Sequence, residues 1–390
     1  MNYVVRAGAT AGLLAFSIAS HAEGSVTLYG IIDTGVDWEN NVATAPGQPH
    51  ASGSAVRMTS LTATGPSRWG LRGKEDLGGG LSAVFALEDS FLPNSGALSN
   101  GGRLFGREAW IGLETPYGTF RFGRQYTMTF YNGLKTDVVA PSLYSNASLD
   151  PYLANPRTDN ALGYFGNFGP FVIGGTYSFG HDAAAIQGSN PANAGVTFNP
   201  SATNCPGGVP GNTVACREIS ALIGYWTKSV GVHVAYDEMR GGSGQIPGSS
   251  AYDGSNPILM PSSSDKTARY IAGGWFQIDN LKVAASVIHR KTSTSATVYE
   301  SNIFNLGTSY VYRPDLVFDA QIARIVAGQN QNANSYVIRS TYLLSKRTAI
   351  YAAAAFMQNN SKGAYSVGAG YMTVPGAKQV GILLGMKTSF

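Results

Sequence analysis

The stretch Gln379-Val380-Gly381-Ile382-Leu383-Leu384-Gly385-Met386-Lys387-Thr388-Ser389-Phe390 puts Val380, Ile382, Leu384, Met386, Thr388 and Phe390 on one parity. Successive side chains of a strand point to opposite faces, so this reads as a strand with one mostly apolar face that ends on an aromatic ring. The same pattern stands near the other end. Val26, Leu28, Gly30, Ile32, Thr34, Val36 and Trp38 share one parity, and Thr27, Tyr29, Ile31, Asp33, Gly35 and Asp37 the other.

Between these two stretches, similar runs recur at 67–76, 81–91, 103–114, 119–129, 157–166 and 169–180. They continue at 217–228, 231–240, 267–278, 281–291, 301–312, 315–326, 335–346 and 348–358. This gives about 16 strands, each near or above the roughly 9 to 11 residues that a tilted strand needs to cross a bilayer. The connections alternate in length. Those at 76–80, 115–118, 229–230, 279–280 and 313–314 are tight and built largely from Gly, Pro, Asn and Asp. Those at 39–66, 131–156, 181–216 and 241–266 are long and polar. A soluble sandwich has no reason to gather every short turn at one end, whereas an outer-membrane barrel has short periplasmic turns and long outer loops. The expected fold is therefore all-β, a 16-stranded antiparallel transmembrane β-barrel.

Composition agrees. Gly is abundant at 49, Tyr and Phe number 21 and 17, and charged residues make up only 13%, with no sustained helical period after the first residues. Aromatic residues gather near expected strand ends as interfacial girdles: Trp69, Phe91, Tyr117, Phe120, Tyr177, Phe179, Trp226, Trp275, Tyr310, Tyr312, Tyr342 and Phe390. A final strand ending on Phe390 is also the form of an outer-membrane assembly signal. The 27 Lys and Arg, less Arg6, against 23 Asp and Glu leave about +3, too little to argue for a nucleic-acid partner.

Residues 1–22 read as a secretory signal peptide: Arg6, a small-and-apolar run from Ala7 to Ile18, then Ser20-His21-Ala22. The apolar run is well under the roughly 20 residues of a spanning helix. The rest, 23–390, reads as one barrel, since no linker or charge block interrupts it. The cysteines, Cys205 and Cys216, sit in a Gly/Pro/Asn-rich loop of an exported chain and are expected to form a disulfide.

Several stretches together resemble the general Gram-negative porins, in particular the trimeric porins of β-proteobacteria. They are 25–30 (SVTLYG), 67–73 (SRWGLRG), 75–81 (EDLGGGL), 107–113, 117–119 (YGT), 123–126 (GRQY) and the final Phe390. The resemblance covers the whole chain after the leader. It implies a homotrimer in the outer membrane, each barrel narrowed by a third outer loop folded inward, here 131–156. It also implies passive diffusion of ions and small hydrophilic solutes, no cofactor, and membrane lipid, lipopolysaccharide included, as surroundings.

In such a family, arginines on the barrel wall face acidic groups on the inserted loop, and the field between them sorts solutes. By parity Arg68, Arg72 and Lys74 project into the lumen, because a charge at the lipid midplane costs about 2 to 4 kcal/mol. Arg107 and Arg157 join the basic wall by resemblance, since parity alone puts Arg107 on the side of Ala109 and Ile111. Arg124 is a further candidate near the loop. On the acidic side stand Glu88, facing with Val84 and Ala86, and Asp137 and Asp150, the acids within the third loop. That loop lacks the acidic-Gly cluster of enterobacterial relatives and carries Val139-Ala140-Pro141-Ser142-Leu143-Tyr144 instead. A mild anion preference is therefore expected.

An enzyme finds little to work with. His50, His181, His233 and His289 are scattered without metal-ligand spacing. The fingerprint-like Gly78-Gly79-Gly80-Leu81-Ser82-Ala83 lies between two strands, and Ser263-Ser264-Asp265-Lys266 in a serine-rich loop, so neither opens a helix. The rival readings are a sugar-specific channel, which needs an aromatic track in the lumen, and a non-conducting structural or adhesive barrel.

Overall fold

The computed structural model describes residues 24–43, 52–59, 61–183, 205–242 and 258–390. The expected leader at 1–22, His50 and parts of three long connections lie outside them. The first strands are β1 (Ser25–Ala43), β2 (Ser52–Met58), β3 (Arg68–Gly78), β4 (Leu81–Ser90), β5 (Glu108–Thr115) and β6 (Gly118–Tyr126). A nine-residue helix, α1 (Met128–Thr136), then precedes β7 (Arg157–Phe168), β8 (Phe171–Ser178), β9 (Glu218–Trp226), β10 (Val230–Arg240) and β11 (Lys266–Ile278). The last are β12 (Leu281–Ser293), β13 (Val298–Arg313), β14 (Leu316–Ala327), β15 (Ala333–Leu343), β16 (Thr348–Asn359) and β17 (Lys378–Ser389).

From β3 onward each strand pairs antiparallel with the next, and β17 returns to β1 from Ile31↔Ser389 to Glu39↔Gly381. The sheet is a closed barrel, and closure removes every unpaired edge from the lipid. Phe390 completes the seam by exchanging backbone hydrogen bonds with Gly30 at 3.0 and 3.1 Å. Its ring lies where a Cβ on Gly30 would stand, 2.3 Å away, so only glycine admits it.

Three local expectations change. β2 lies in what reads as loop; it pairs with one half of β1 while β3 pairs with the other, so the two share one of sixteen positions around the 17-stranded sheet. The run at 103–114 becomes strand only at Glu108, and the run at 119–129 ends at Tyr126 and passes into α1.

Alternation is realised as read. Val26, Leu28, Ile32 and Val36 of β1, and Ile382, Leu384 and Met386 of β17, are exposed on the outside, while Asp33 and Asp37 are buried inward. Tyr117, Phe120, Tyr310, Tyr312, Tyr342 and Phe390 are exposed rim aromatics. Trp226 and Trp275 are not part of that girdle. Val230, Val232 and Val234 take the outer face of β10 and Tyr270 and Phe276 that of β11, so Trp275 and His233 turn inward and meet Trp226 there.

The apolar core sits inside the barrel. Val139, Leu143, Tyr144 and Leu149 of the third outer connection pack on Ile288, Ile303, Ile325, Val337, Met357 and Leu383, which point inward from β12 to β17. The connection thus folds into the barrel and lies against one side of its wall.

Candidate functional site: the arginine wall and the third loop

The third loop is held by groups that its own backbone and the inner wall supply. The Val138 N–H donates to Gln321 Oε1 at 3.1 Å, and Asn305 Nδ2 donates to the Thr136 carbonyl at 2.9 Å. Arg339 donates to the carbonyls of Val138 and Val139 at 2.9 and 3.0 Å while its Nε bonds Asp319 at 2.8 Å. The Tyr144 hydroxyl bonds Asp37, and the Ser148 hydroxyl donates to the Val367 carbonyl at 2.7 Å. A backbone pushed into a pore needs such partners, because buried N–H and C=O groups without them are costly.

Asp150 is the charged latch. Arg269 grips its carboxylate with two bonds of 2.7 and 3.0 Å, and Arg290 adds a contact at 3.2 Å; all three side chains are almost wholly buried. Burial opposes ionisation of Asp150, yet Arg269 and Arg290 hold its carboxyl below the ordinary value. Tyr152 stands under Arg269, whose guanidinium lies 4.2 Å from the ring centre, and its hydroxyl lies 2.7 Å from Glu218 and 3.2 Å from Asp237.

Asp137 has a different task. Burial raises its carboxyl above the ordinary value, and the backbone N–H groups of Asn146, Val139 and Ala140 work against that rise by donating to it at 2.9, 3.2 and 3.1 Å. The two loop acids, expected to face the arginines across the channel, are therefore turned elsewhere. Asp137 organises the loop's own turn, and Asp150 binds the wall on the far side.

Glu88 stands within the arginine wall rather than opposite it. Parity brings it inward as read, on the strand next to Arg68 and Arg72. Arg107 Nε lies 2.5 Å from one of its oxygens, Arg68 Nε 3.7 Å and Arg72 Nη2 4.0 Å from the other, which also accepts from the Tyr29 hydroxyl at 2.9 Å. Arg107 precedes the first residue of β5, so strand parity does not govern it and its side chain is free to turn in.

These groups line a cavity of about 550 Å³, together with Glu108, Trp110, Arg121 and Tyr126 on the wall and Phe130 and Tyr131 on the loop. Arg72 lies 4.3 Å over the Tyr29 ring and Arg121 4.7 Å over Trp110. Four arginines, Arg68, Arg72, Arg107 and Arg121, thus meet two acids, Glu88 and Glu108, and the facing loop surface is aromatic.

Arg157 stands one ring back. It shares the Tyr126 hydroxyl with Arg107, at 3.1 and 2.6 Å, and lies 4.5 Å over that ring, outside the cavity lining. Arg124 is drawn away by Asp159 at 2.5 Å and the Gly106 carbonyl at 2.8 Å.

Sequence reading passed over Arg121, Glu108, Trp110, Arg269, Arg290 and Arg339. For the four arginines the signal was available: a basic residue within a spanning strand does not face lipid.

Cys205 and Cys216 are bonded to each other and pin the connection between β8 and β9, with Cα atoms 5.2 Å apart. Gly78, Gly79 and Gly80 take left-handed backbone angles in the β3–β4 turn, which disposes of the nucleotide fingerprint. Among the described residues no cluster of His, Cys, Asp and Glu could hold a metal ion.

Comparison with known proteins agrees with this geometry. The family model for Gram-negative porins matches residues 9–378. An outer-membrane porin protein of Bordetella pertussis is 31% identical over 90% of this chain and 93% of its own length. Outer membrane porin protein 32 of Delftia acidovorans is 32% identical over 43% of this chain and 47% of its own. Among solved structures, an anion-selective porin from Comamonas acidovorans superposes with a TM-score of 0.72 at 21% identity, covering 94% of this chain and all of that one. The chain belongs to the Gram-negative porin family. It is an outer-membrane channel protein and not an enzyme.

Proposed function

We propose that the channel passes ions and small hydrophilic solutes by passive diffusion, with a mild preference for anions. The observation that carries this is the imbalance at the cavity: Arg68, Arg72, Arg107 and Arg121 against Glu88 and Glu108, with Phe130 and Tyr131 opposite. Arg157 supports the wall from behind Tyr126. Charges that line a narrow lumen with low-dielectric walls act strongly on passing ions. The Comamonas relative is itself described as anion-selective, which agrees with that reading.

The working unit we propose is a homotrimer set among outer-leaflet lipids, lipopolysaccharide included, after removal of residues 1–22 as a leader. Mass spectrometry of protein purified from outer membranes tests the leader, the expected first residue being Glu23. Single-channel recording of that protein in a planar bilayer tests the rest. Openings in groups of three, with flux falling as neutral sugars grow larger, are expected. Single steps, or block by one sugar at low concentration, would count against the trimer or the general pore.

A further inference from the structure

Below the third loop, on the side of the short turns, the inner wall carries Phe165, Trp226 and Trp275, rings that continue from Tyr131 and do not line the cavity of the narrowing. Tyr131 of α1 stacks on Phe165 with ring centres 4.6 Å apart; Phe165 lies 6.3 Å from Trp226, and Trp226 lies 6.0 Å from Trp275. Trp226 closes β9 just before a short turn, and Lys282 is the second residue after the Asp279-Asn280 turn that follows β11. The row of rings therefore runs from the narrowing toward the short-turn mouth.

Two ammonium groups stand on these rings. Lys135 lies four residues after Tyr131, on the same face of α1. Its Nζ is 4.7 Å from the Trp226 ring centre and 5.2 Å from that of Trp275. Lys282 Nζ is 6.0 Å from the Trp275 ring centre. Among the described residues neither lysine has a carboxylate within ion-pair distance. The Asp319 carboxylate, whose field reaches Lys282, is held by Arg339 at 2.8 Å. Rings that served only to fasten the helix to the wall would have no need of two uncompensated cations. Both lysines and Trp226 are only partly buried, so the surface remains open to the lumen.

We infer that this surface is a binding site for small aromatic carboxylates, of which benzoate is the simplest. The ring of such a solute stacks on the accessible part of Trp226, backed by the buried Trp275, and its carboxylate meets Lys135 and Lys282. The inference deepens the anion-passing reading: the arginine wall admits anions in general, and the ring-backed lysines retain those that carry a flat apolar body.

The test uses the folded full-length mature protein in detergent, with tryptophan fluorescence read during titration with 4-nitrobenzoate as quencher. Saturable quenching that benzoate reverses, but acetate and maltose at equal concentration do not, is the expected result. In the Lys135→Gln/Lys282→Gln double variant the half-saturation point should rise by about tenfold. Equal competition by acetate would show a plain anion site, and competition by maltose a carbohydrate site; either overturns the inference, as does unaltered binding by the double variant. Wild-type-like open conductance of that variant shows that its barrel is intact. Channels that conduct without binding benzoate overturn this inference alone, whereas binding without conductance overturns the passive pore and leaves the site standing.

Discussion

Two sides of the same barrel wall solve opposite problems. From β3 to β6 the inward residues include Arg68, Arg72, Glu88, Glu108, Trp110 and Arg121, which line the open cavity. From β12 to β17 they include Ile288, Ile303, Ile325, Val337, Met357 and Leu383, and these are dry because Val139, Leu143 and Leu149 of the third loop cover them. A water-filled barrel is expected to be polar inside. Here one side is polar and the other is a protein core, so the loop does more than narrow the channel. It decides which part of the wall is pore and which is support.

The largest expected effect comes from cutting the charged latch. Asp150→Ala leaves Arg269 and Arg290 buried without their carboxylate, a loss of about 3 to 5 kcal/mol. The loop should leave the apolar wall, and single-channel conductance should rise with added noise. Unchanged conductance would mean that the core alone holds the loop. Leu149→Ala probes that core from the other side. This residue is fully buried, and the deletion should cost about 2 to 5 kcal/mol, read as a lower unfolding temperature of the detergent-solubilised protein. If its effect on conductance matched that of Asp150→Ala, latch and core would act as one unit.

Much of this contrast was legible in the sequence. Strand count, turn placement and outward parity followed from alternation, because lipid outside and water or protein inside enforce a period of two. The covered side has its own signature, which parity reading did not exploit. Val287-Ile288, Ile303-Phe304, Ile325-Val326, Val337-Ile338, Phe356-Met357 and Leu383-Leu384 are adjacent apolar pairs, one member facing lipid and the other the loop. Such doublets mark strands buried on both faces. The partners of Asp137 and Asp150 were not legible, since they depend on the path of one loop through the lumen. Arg107 entered by resemblance and was out of reach of parity for a simpler reason: it stands outside the strand whose period was applied to it.

Glu88→Gln separates the two descriptions of the acidic side. A carboxylate opposite the arginines would sharpen a transverse field, but one that touches Arg107, Arg68 and Arg72 merely subtracts from their charge. The substitution should therefore increase anion preference, measured as a larger reversal potential of the same sign in a salt gradient. The smallest effect expected is that of mild acid. The Asp150 carboxyl is held below its ordinary value, so its contribution to loop retention is complete above that value, about 3.9, and is lost only as pH falls through the still lower folded value. Conductance should stay constant from pH 7 to about pH 4 and rise below it. A rise already near pH 5 would place the latch elsewhere.

On the function proposed here, the exposed wall, and not the loop, sets the selectivity. The reversal potential of the wild-type channel in a potassium chloride gradient, beside that of Arg68→Gln/Arg72→Gln, tests it most directly. The wild type should prefer chloride, and the double variant should lose most of that preference while its conductance changes little. Cation preference in the wild type, or an unaltered reversal potential in the variant, would mean that the arginine wall does not set the selectivity.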